Sequence, residues 1–447
     1  MSAAPIVDQF LAAGFAADDA GARAALLERA IAAHARRLGA GPAWAWFVPG
    51  RIEIFGKHTD YAGGRSLVAA VPRGFAVVAS ARDDGIVSVL DARWNDTVDV
   101  DPADQERRFK GWTNYAAVVA RRLLLNFPGA RLGTSITIAS DLPRAAGLSS
   151  SSALVVGLAT ALARRAALTE RQEWRAAIRS DLDLAGYLGA AENGLTFGAL
   201  LNASGVGTHG GSEDHTAILA SRAGEVAAFS YMPVQPAGSA PMPERWRFAV
   251  MTSGVHADKA GSAKGRYNRA SLATRALSEI WAESAGHVST LAEALRSAPD
   301  AERRLRQHIA AAGRGEFSAD DLSRRLQHFI DEDARVPLAL EAFRRADAML
   351  LGSLSDDSQY DADVLLGNQV EDTIRLARAA REHGAFAASS FGAGFGGSVW
   401  ALVDADDAED FVRRWHRAYT ASATPGPVES FVTRPAPRVT EIDVGES

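Results

Sequence analysis

The stretch LPRAAGLSSSSA, residues 142–153, separates two segments of different periodicity. Before it, TSITIAS (residues 134–140) alternates polar and apolar side chains as a half-buried strand does. After it, ALVVGLATALA (residues 153–163) is an apolar run of helical length. A helix that begins in small residues exposes unpaired backbone N–H groups at the positive end of its dipole, with serine hydroxyls beside them. The stretch therefore predicts an anion site, although a serine-rich helix cap without a ligand has the same pattern.

The size and composition of the chain indicate a two-domain protein with a small-molecule partner. A length of 447 residues exceeds what one core usually organises, and 47% hydrophobic with 23% charged residues is ordinary globular composition. The formal net charge of -6 argues against a general binder of nucleic acid or anionic membranes. Because the chain has no cysteine, disulfides, thiolate nucleophiles and cysteine-ligated metal sites are excluded. The N-terminal residues lack a secretory pattern and no segment approaches the ~18 apolar residues of a membrane span, so we expect a cytoplasmic protein.

Periodicity along the chain predicts an α+β fold. Residues 5–38 have helical spacing, and β-branched and aromatic runs separated by turn residues follow in residues 44–140. Helical patterns dominate residues 152–201 and 322–350, and a strand returns at SVWALVDA, residues 398–405. The helices and strands are segregated rather than regularly alternating, which is typical of α+β proteins.

A segment rich in Pro, Gly and Ala, Pro233–Pro243, is interpreted as a connection between domains. This interpretation predicts an N-terminal α+β domain of residues 1–232 and a C-terminal α+β domain of residues 233–447. The anion site described above falls in the first of these domains.

Two further motifs narrow the chemistry. FGAGFGGS, residues 391–398, formally satisfies Gly-x-Gly-x-x-Gly, but it runs into a strand instead of opening a helix, so it is not a dinucleotide fingerprint. It remains a glycine loop in which backbone approaches another backbone or a ligand closely. GRIEIFGKHTDYAGG, residues 50–64, concentrates charged, histidine and glycine residues behind an apolar run. The common P-loop sequence does not occur in the chain.

In this combination and order, the segments resemble the GHMP family of small-molecule kinases. The phosphate loop of that family is similar to Pro-x-x-x-Gly-Leu-Ser-Ser-Ser, and its late glycine motif is similar to Gly-Ala-Gly-Phe-Gly-Gly. Within the family, residues 50–64 resemble the galactokinase signature Gly-Arg-x-Asn-x-x-Gly-Glu-His-Thr-Asp-Tyr-x-x-Gly, and WTNY (112–115), GGSEDH (210–215) and RYNR (266–269) resemble further family segments.

The resemblance covers roughly residues 40–440 and implies a two-domain, GHMP-kinase-like α+β fold with the active site in the cleft between the domains. It implies ATP-dependent phosphorylation of a monosaccharide at its anomeric (C1) hydroxyl, with ATP and Mg²⁺ as cofactors. The expected partners are therefore a small sugar and ATP, without nucleic acid or membrane, and the protein is expected to be a monomer or a small homo-oligomer.

The same resemblance assigns roles to individual residues. Asp214 is expected to receive or orient the proton of the anomeric hydroxyl, with Arg51 beside it keeping it ionised. The metal is assigned to Ser151 and Glu192. The phosphate cradle comprises Gly147, Leu148, Ser149, Ser150, Ser151 and Ser152, and the sugar-binding set comprises Lys57, His58, Asp60 and Tyr267.

Two departures from the signature leave the substrate open. Lys57 stands where galactokinases have glutamate, and Glu53 stands where they have asparagine. Lys57 would complement the carboxylate of a uronic acid such as galacturonate. Alternatively, the extra charge would be absorbed locally by Glu53, which shares a strand face with Arg51 and would pair with Arg51 or with Lys57. The alternatives to a sugar 1-kinase are a catalytically silent sugar sensor on the same fold and a GHMP kinase that acts on a different small-molecule alcohol.

Overall fold

The computed structural model describes residues 5–143, 146–257, 263–286, 288–311, 313–421 and 426–445. The predicted helical preface is confirmed as α1 (Ile6–Ala12) and α2 (Ala17–Leu38), which ends where Gly39 adopts a left-handed conformation with φ 75°. Helix α2 packs its apolar face against the larger of two sheets, through buried residues such as Leu26 and Leu27.

The larger sheet has the order β12-β1-β2-β5-β3-β4, with β6 on the edge of β2 and β7 on β6. Neighbouring strands are antiparallel except β3 and β5, which are parallel. The strands are β1 (Trp44–Phe55), β2 (Arg65–Ala81), β3 (Val87–Asp91), β4 (Asp96–Val100), β5 (Thr134–Ser140), β6 (Glu225–Ser230), β7 (Gln235–Pro241) and β12 (Thr440–Ile442).

Two of the runs predicted as strands, SLVAAV (residues 66–71) and AVVAS (residues 76–80), belong to the single long strand β2. The ladder between β1 and β2 shifts register between Pro49 and Gly50, where proline interrupts regular pairing. Gly74 permits this close approach, since a Cβ there would lie 2.1 Å from the carbonyl oxygen of Val48. The second half of β1, which carries Arg51, then runs beside the serine loop, residues 146–152, where the N–H of Arg51 donates to the carbonyl oxygen of Leu148 at 3.3 Å.

The smaller sheet is antiparallel with the order β11-β8-β10-β9. It contains β8 (Trp246–Thr252), β9 (Ala387–Ser390), β10 (Ser398–Asp404) and β11 (Ser430–Thr433). The strand predicted at SVWALVDA is therefore confirmed as β10. The preceding glycine loop joins β9 to β10 as a hairpin, in agreement with its exclusion as a helix-opening motif.

The remaining helices surround both sheets. They are α3 (Trp112–Asn126), α4 (Ser150–Arg165), α5 (Gln172–Ala177), α6 (Asp181–Asn193), α7 (Glu213–Ala220), α8 (Lys264–Ala285), α9 (Leu291–Arg296), α10 (Ala301–Ala311), α11 (Ala319–Arg345), α12 (Ala348–Val364), α13 (Glu371–Glu382) and α14 (Ala408–Thr420). The helical prediction for residues 194–201 is wrong: α6 ends at Asn193, because Gly194 takes a left-handed conformation with φ 72°. None of the helices in the described residues is long and apolar enough to cross a membrane.

The two sheets share one apolar core. Val48 and Phe55 from the larger sheet belong to the same buried cluster as Phe248 and Trp400 from the smaller one. The rings of Phe55 and Trp400 meet edge to face, with centroids 6.0 Å apart. The α+β prediction is thus confirmed, with two sheets packed through a continuous core.

The chain crosses between the sheets at two adjacent places. It leaves the larger sheet after β7 and returns to it between β11 and β12. The two crossings are joined by an ion pair between Arg434 and Glu244, with N and O 2.6 Å apart. The interpretation of Pro233–Pro243 as a connection is wrong for most of its length, since β7 pairs with β6 there. The division between residues 232 and 233 stays a prediction.

Candidate active site

A polar cleft of about 500 Å³ lies where β1, the loop after it, α4, α6, α7 and α8 converge with the glycine loop of the smaller sheet. Its walls are dominated by charged and polar side chains. These include Arg51, Glu53, His58, Asp60, Tyr61, Ser152, Glu192, Asn193, Glu213, Asp214, His215 and Tyr267.

Arg51 is the buried centre of this cleft, with 1% of its surface exposed. Its Nε donates to Asp214 Oδ1 at 2.8 Å, and its Nη2 lies 2.6 Å from the same oxygen. Nη1 donates to the carbonyl oxygen of Gly147 at 2.6 Å. Burial alone would lower the pKa of Arg51, but the carboxylates of Asp214, Glu213 and Glu53 raise it above its ordinary value. The guanidinium therefore stays charged and ties the carboxylate of Asp214 to the serine loop.

Asp214 is held between this cation and a hydroxyl from the start of α4. Ser152 Oγ lies 3.3 Å from Asp214 Oδ2 and 3.2 Å from Glu192 Oε2, so the two carboxylates share its single proton. Glu192 Oε2 also lies 3.0 Å from His215 Nε2. The residues between α6 and α7 loop out without separating Glu192 from Asp214, so one serine bridges both carboxylates.

Two further buried carboxylates, Glu53 and Glu213, also surround Arg51. Glu213 Oε1 and Glu53 Oε2 each lie 3.5 Å from a guanidinium nitrogen, with their side chains 6% and 4% exposed. Burial, and then the charge of Glu53, raise the pKa of Glu213 well above its ordinary value. Glu53 was marked in the sequence by its departure from the asparagine of the signature, and Glu213 by its place beside Asp214 in GGSEDH, where the family segment Gly-Ile-Met-Asp-Gln has methionine.

Three of the predicted sugar-binding residues line the cleft together. Asp60 Oδ2 accepts from the backbone N–H of Glu213 at 3.1 Å, and the ring of His58 lies 5.1 Å from that of Tyr267. Burial, and then the charge of Asp60, raise the pKa of Tyr267 well above its ordinary value, so its phenol keeps its proton. Gly211 packs tightly here, because a Cβ on it would lie 2.1 Å from Asp60 Oδ2.

Lys57 does not line the cleft. Its side chain is fully buried on the other side of the loop, where Nζ donates to Ser358 Oγ at 2.7 Å and to Ser389 Oγ at 2.6 Å. Burial lowers the pKa of Lys57, and the nearby carboxylate of Glu332 opposes that shift. The structure does not bring the Lys57 ammonium into the cleft, and the substrate contact assigned to Lys57 stays a prediction. Its hydrogen-bonding partners are the two serines and not Glu53. The physical reason is that Glu332, which is distant in sequence, offers a buried carboxylate behind the loop.

The serine loop lies between this cleft and a second cavity of about 1450 Å³. Gly147, Ser149, Ser150 and Ser151 line the second cavity, together with aromatic side chains that include Trp94, Trp112 and Tyr115. Gly147 and Ser149 have left-handed backbone conformations, with φ 76° and 58°, which turn the chain into the N-terminus of α4. The buried side chain of Leu148 packs into the core and not into either cavity.

The donor set around Ser152 fits Mg²⁺, which prefers hard oxygen ligands and needs only one or two protein groups beside phosphate and water. The side-chain oxygens of Ser152 and Glu192 are adjacent, as given above. Ser151 lines the second cavity, whereas Ser152 lies beside Glu192. The geometry therefore favours Ser152 over Ser151 as the partner of Glu192, and the assignment of the metal to Ser151 stays a prediction. Among the described residues no group of three or more His, Asp or Glu side chains is arranged to hold a metal by itself.

Comparison with known families matches three regions of the chain. Residues 32–81 match the galactokinase galactose-binding signature, residues 114–193 the GHMP kinases N terminal domain and residues 339–421 the GHMP kinases C terminal domain. The galactokinase of Chloroflexus aggregans is 28% identical over 396 residues, covering 86% of this chain and 90% of that protein. The galactokinase of Streptomyces coelicolor is 29% identical over 409 residues, covering 87% and 92%.

Solved structures support the same fold. A crystal structure of Lactococcus lactis galactokinase complexed with galactose superposes with a TM-score of 0.72 at 20% identity, covering 93% of this chain and 99% of that one. Methanococcus jannaschii mevalonate kinase superposes with a TM-score of 0.53 at 13% identity, covering 88% and 98%. The architecture is therefore that of the GHMP kinases, which use ATP with Mg²⁺.

Proposed function

Since the chain is a galactokinase-like member of the GHMP kinase superfamily, we propose that it transfers the γ-phosphoryl group of ATP to the anomeric hydroxyl of a monosaccharide. The observation that carries this proposal is the contact of Arg51, Asp214 and Ser152 at the junction of the two cavities. A phosphoryl acceptor in the polar cleft and ATP in the larger cavity would meet at this junction. Phosphoryl transfer depends mainly on such positioning and on charge stabilisation.

In the proposed reaction the C1 hydroxyl oxygen forms a bond to the γ-phosphorus while the bond from that phosphorus to the ADP oxygen breaks. The hydroxyl proton goes to Asp214, whose carboxylate is oriented by Arg51 and Ser152. Arg51 also offers positive charge to the transferring group. Mg²⁺, held by Ser152 and Glu192, would supply further charge to the phosphates.

The cleft favours a neutral sugar over a uronic acid. Carboxylates of Glu53, Asp60, Glu192 and Asp214 line it, and Arg51, its buried cation, is already engaged by Asp214. A substrate carboxylate would therefore meet like charge. We propose a galactose-like neutral aldose as the substrate class and keep galacturonate as the contrasting compound in the assay.

The direct test is ADP release from MgATP with galactose, other neutral aldoses, galacturonate and non-sugar alcohols, followed by ³¹P NMR of the product. Phosphate on the anomeric carbon of a neutral aldose is the expected result. Sugar binding without turnover of any compound would instead identify the silent sensor, and turnover only of a non-sugar alcohol would identify a different kinase of the family. Because the proposed reaction consumes ATP, we also propose a cytoplasmic location.

A further inference from the structure

Helix α11 holds the loop after β1 from the side opposite the cleft. Arg325, Phe329, Glu332 and Asp333 project from one face of this helix, at the spacings of three, four and eight residues that place side chains in line. Each of the four contacts the segment 56–65. The substrate loop, defined as residues 56–60, lies between the cleft and this helix face.

Glu332 fixes the beginning of the substrate loop through its backbone. Its Oε1 accepts from the N–H of Gly56 at 2.9 Å and from the N–H of Lys57 at 3.2 Å. The carboxylate is fully buried, and Arg335 Nη1 donates to its other oxygen at 2.9 Å. Because Gly56 adopts φ 100°, the chain leaves β1 in a conformation that only glycine takes easily, and the two N–H groups converge on one acceptor.

Arg325 fixes the middle of the loop. Its Nη2 donates to the carbonyl oxygen of His58 at 2.6 Å and to Tyr61 Oη at 3.2 Å, while Nη1 lies 3.0 Å from His328 Nδ1. His58 has φ 57°, a left-handed conformation that is disfavoured for a residue with a Cβ. The buried guanidinium thus holds an unfavourable backbone conformation in the residue that faces Tyr267 in the cleft.

The chain after the substrate loop is anchored to the same helix. Asp333 accepts from the backbone N–H of Arg65 at 2.7 Å and pairs with its guanidinium at 2.6 Å. Gly64 packs on the ring of Phe329, where a Cβ would lie 3.0 Å from Cε2. Helix α11 therefore holds the beginning and the middle of the substrate loop as well as the chain that follows it.

We propose that Glu332 and Arg325 are positioning residues that set the substrate loop, so that α11 controls affinity for the sugar without touching it. This inference rests on the proposed function and extends it to a helix outside the cleft. Glu332 and Arg325 contact the backbone of the substrate loop, and the side chains of His58 and Asp60 project from that backbone into the cleft. A displacement of about 1 Å in a binding group can lower activity on the order of a hundredfold.

The first experiment compares Arg325→Lys with Arg324→Ala, an exposed neighbour on the same helix. Lysine retains the charge but cannot reach His58, Tyr61 and His328 at once. For Arg325→Lys we expect the KM for the sugar to rise roughly tenfold or more, while the KM for ATP changes less than about twofold. Arg324→Ala is expected to match the parent. Equal increases in both KM values, or no increase, would overturn the proposal.

The second experiment separates positioning from folding at Glu332. Glu332→Met removes the buried carboxylate that pairs with Arg335 and stabilises the charge of the nearby Lys57 ammonium, so the protein is expected to lose stability. In the double variant Lys57→Met/Glu332→Met both of these charges are gone and Arg335 keeps Asp361 as a partner, so the thermal midpoint should recover part of that loss. The sugar KM should nevertheless stay raised roughly tenfold, because the N–H groups of Gly56 and Lys57 still lack their acceptor. Recovery of the sugar KM together with stability would show a structural role only and overturn the proposal.

A measurement that needs no turnover distinguishes this proposal from the proposed function. Hydrogen–deuterium exchange in the parent and in Arg325→Lys is expected to be at least several-fold faster in peptides covering residues 56–64 of the variant, with the sheets unchanged. If the parent phosphorylates no sugar but residues 56–64 still exchange faster in Arg325→Lys than in the parent, the proposed function is contradicted and the role of α11 is supported. Unchanged exchange in the variant overturns the role of α11, whatever the activity.

Discussion

Replacing Lys57 by methionine separates a structural role from substrate recognition. The variant removes the ammonium that donates to Ser358 and Ser389 and faces Glu332, while a side chain of similar length still fills the space. The ammonium and the Glu332 carboxylate are linked through Ser358 Oγ and not by a direct ion pair. Breaking a direct buried charge pair by removing one partner typically costs about 3–5 kcal/mol. We expect a loss of stability at the lower end of this range, because Arg335 still neutralises Glu332 at 2.9 Å. In addition, the free-energy cost of burying the ammonium disappears with the ammonium itself.

The corresponding change in melting temperature is small because the chain is long. At about 2.1 cal/mol/K per residue, a protein of 447 residues has an unfolding entropy of about 0.9 kcal/mol/K. A loss of about 3 kcal/mol then lowers the thermal midpoint by about 3 °C. Differential scanning calorimetry measures this shift, and Lys110→Met, at an exposed position, serves as the matched control with an unchanged midpoint.

The catalytic readout is the ratio of kcat/KM for galactose to that for galacturonate. Because the Lys57 side chain lies behind the loop, both values should change by a similar factor and the ratio should stay within about threefold of the parent. A selective loss on galacturonate of tenfold or more, with an unchanged thermal midpoint, would refute the reasoning. That result would mean that the ammonium reaches the substrate.

Three further predictions concern the cleft. Asp214→Asn should lower kcat by about 10²–10⁴-fold while calorimetric sugar affinity is retained, because the amide keeps the shape but cannot accept the proton; a kcat within tenfold of the parent contradicts this. Ser152→Ala should raise the Mg²⁺ concentration for half-maximal activity more than Ser151→Ala does, and equal shifts would count against Ser152 as the ligand. Since the pKa of Glu213 is raised in the folded state, its contribution to stability is complete below its ordinary pKa and is lost as pH rises through the folded value. In Glu213→Gln the side chain stays neutral at every pH. The urea midpoint of this variant, relative to that of the parent, should therefore rise between pH 5 and pH 8, and a constant difference between the two midpoints would contradict the raised pKa.

Local sequence pattern was sufficient for the parts of the site that are contiguous in the chain. The alternation in TSITIAS and the apolar run after the serines predicted the strand, loop and helix that the structure contains. The four consecutive serines could not be told apart from sequence, because each step around the start of a helix turns the side chain by about 100°. That rotation directs Ser151 to one cavity and Ser152 to the other.

Orientation and long-range pairing were the parts that the sequence could not supply. The direction of Lys57 depends on the left-handed conformation of Gly56 and His58 and on a carboxylate 275 residues further along the chain. No motif marks Arg325 or Glu332. Charged residues occur all along α11, and the sequence of an amphipathic helix does not tell which of them are buried against another segment. The insertion between Glu192 and Asp214 raised the question of whether the two are close, and only the folded chain brings both to Ser152.

The apolar core that joins the two sheets also bears on how the protein comes apart. Phe55 and Trp400 pack in one cluster, so neither sheet can lose its order without exposing the buried face of the other. The return of β12 to β1 adds a covalent reason, since the last strand of the larger sheet is reached only through the smaller one. Melting should therefore be cooperative, with one calorimetric transition instead of two and equal calorimetric and van't Hoff enthalpies. Substitutions that disrupt the glycine loop between β9 and β10 should therefore destabilise both sheets and not only the smaller one.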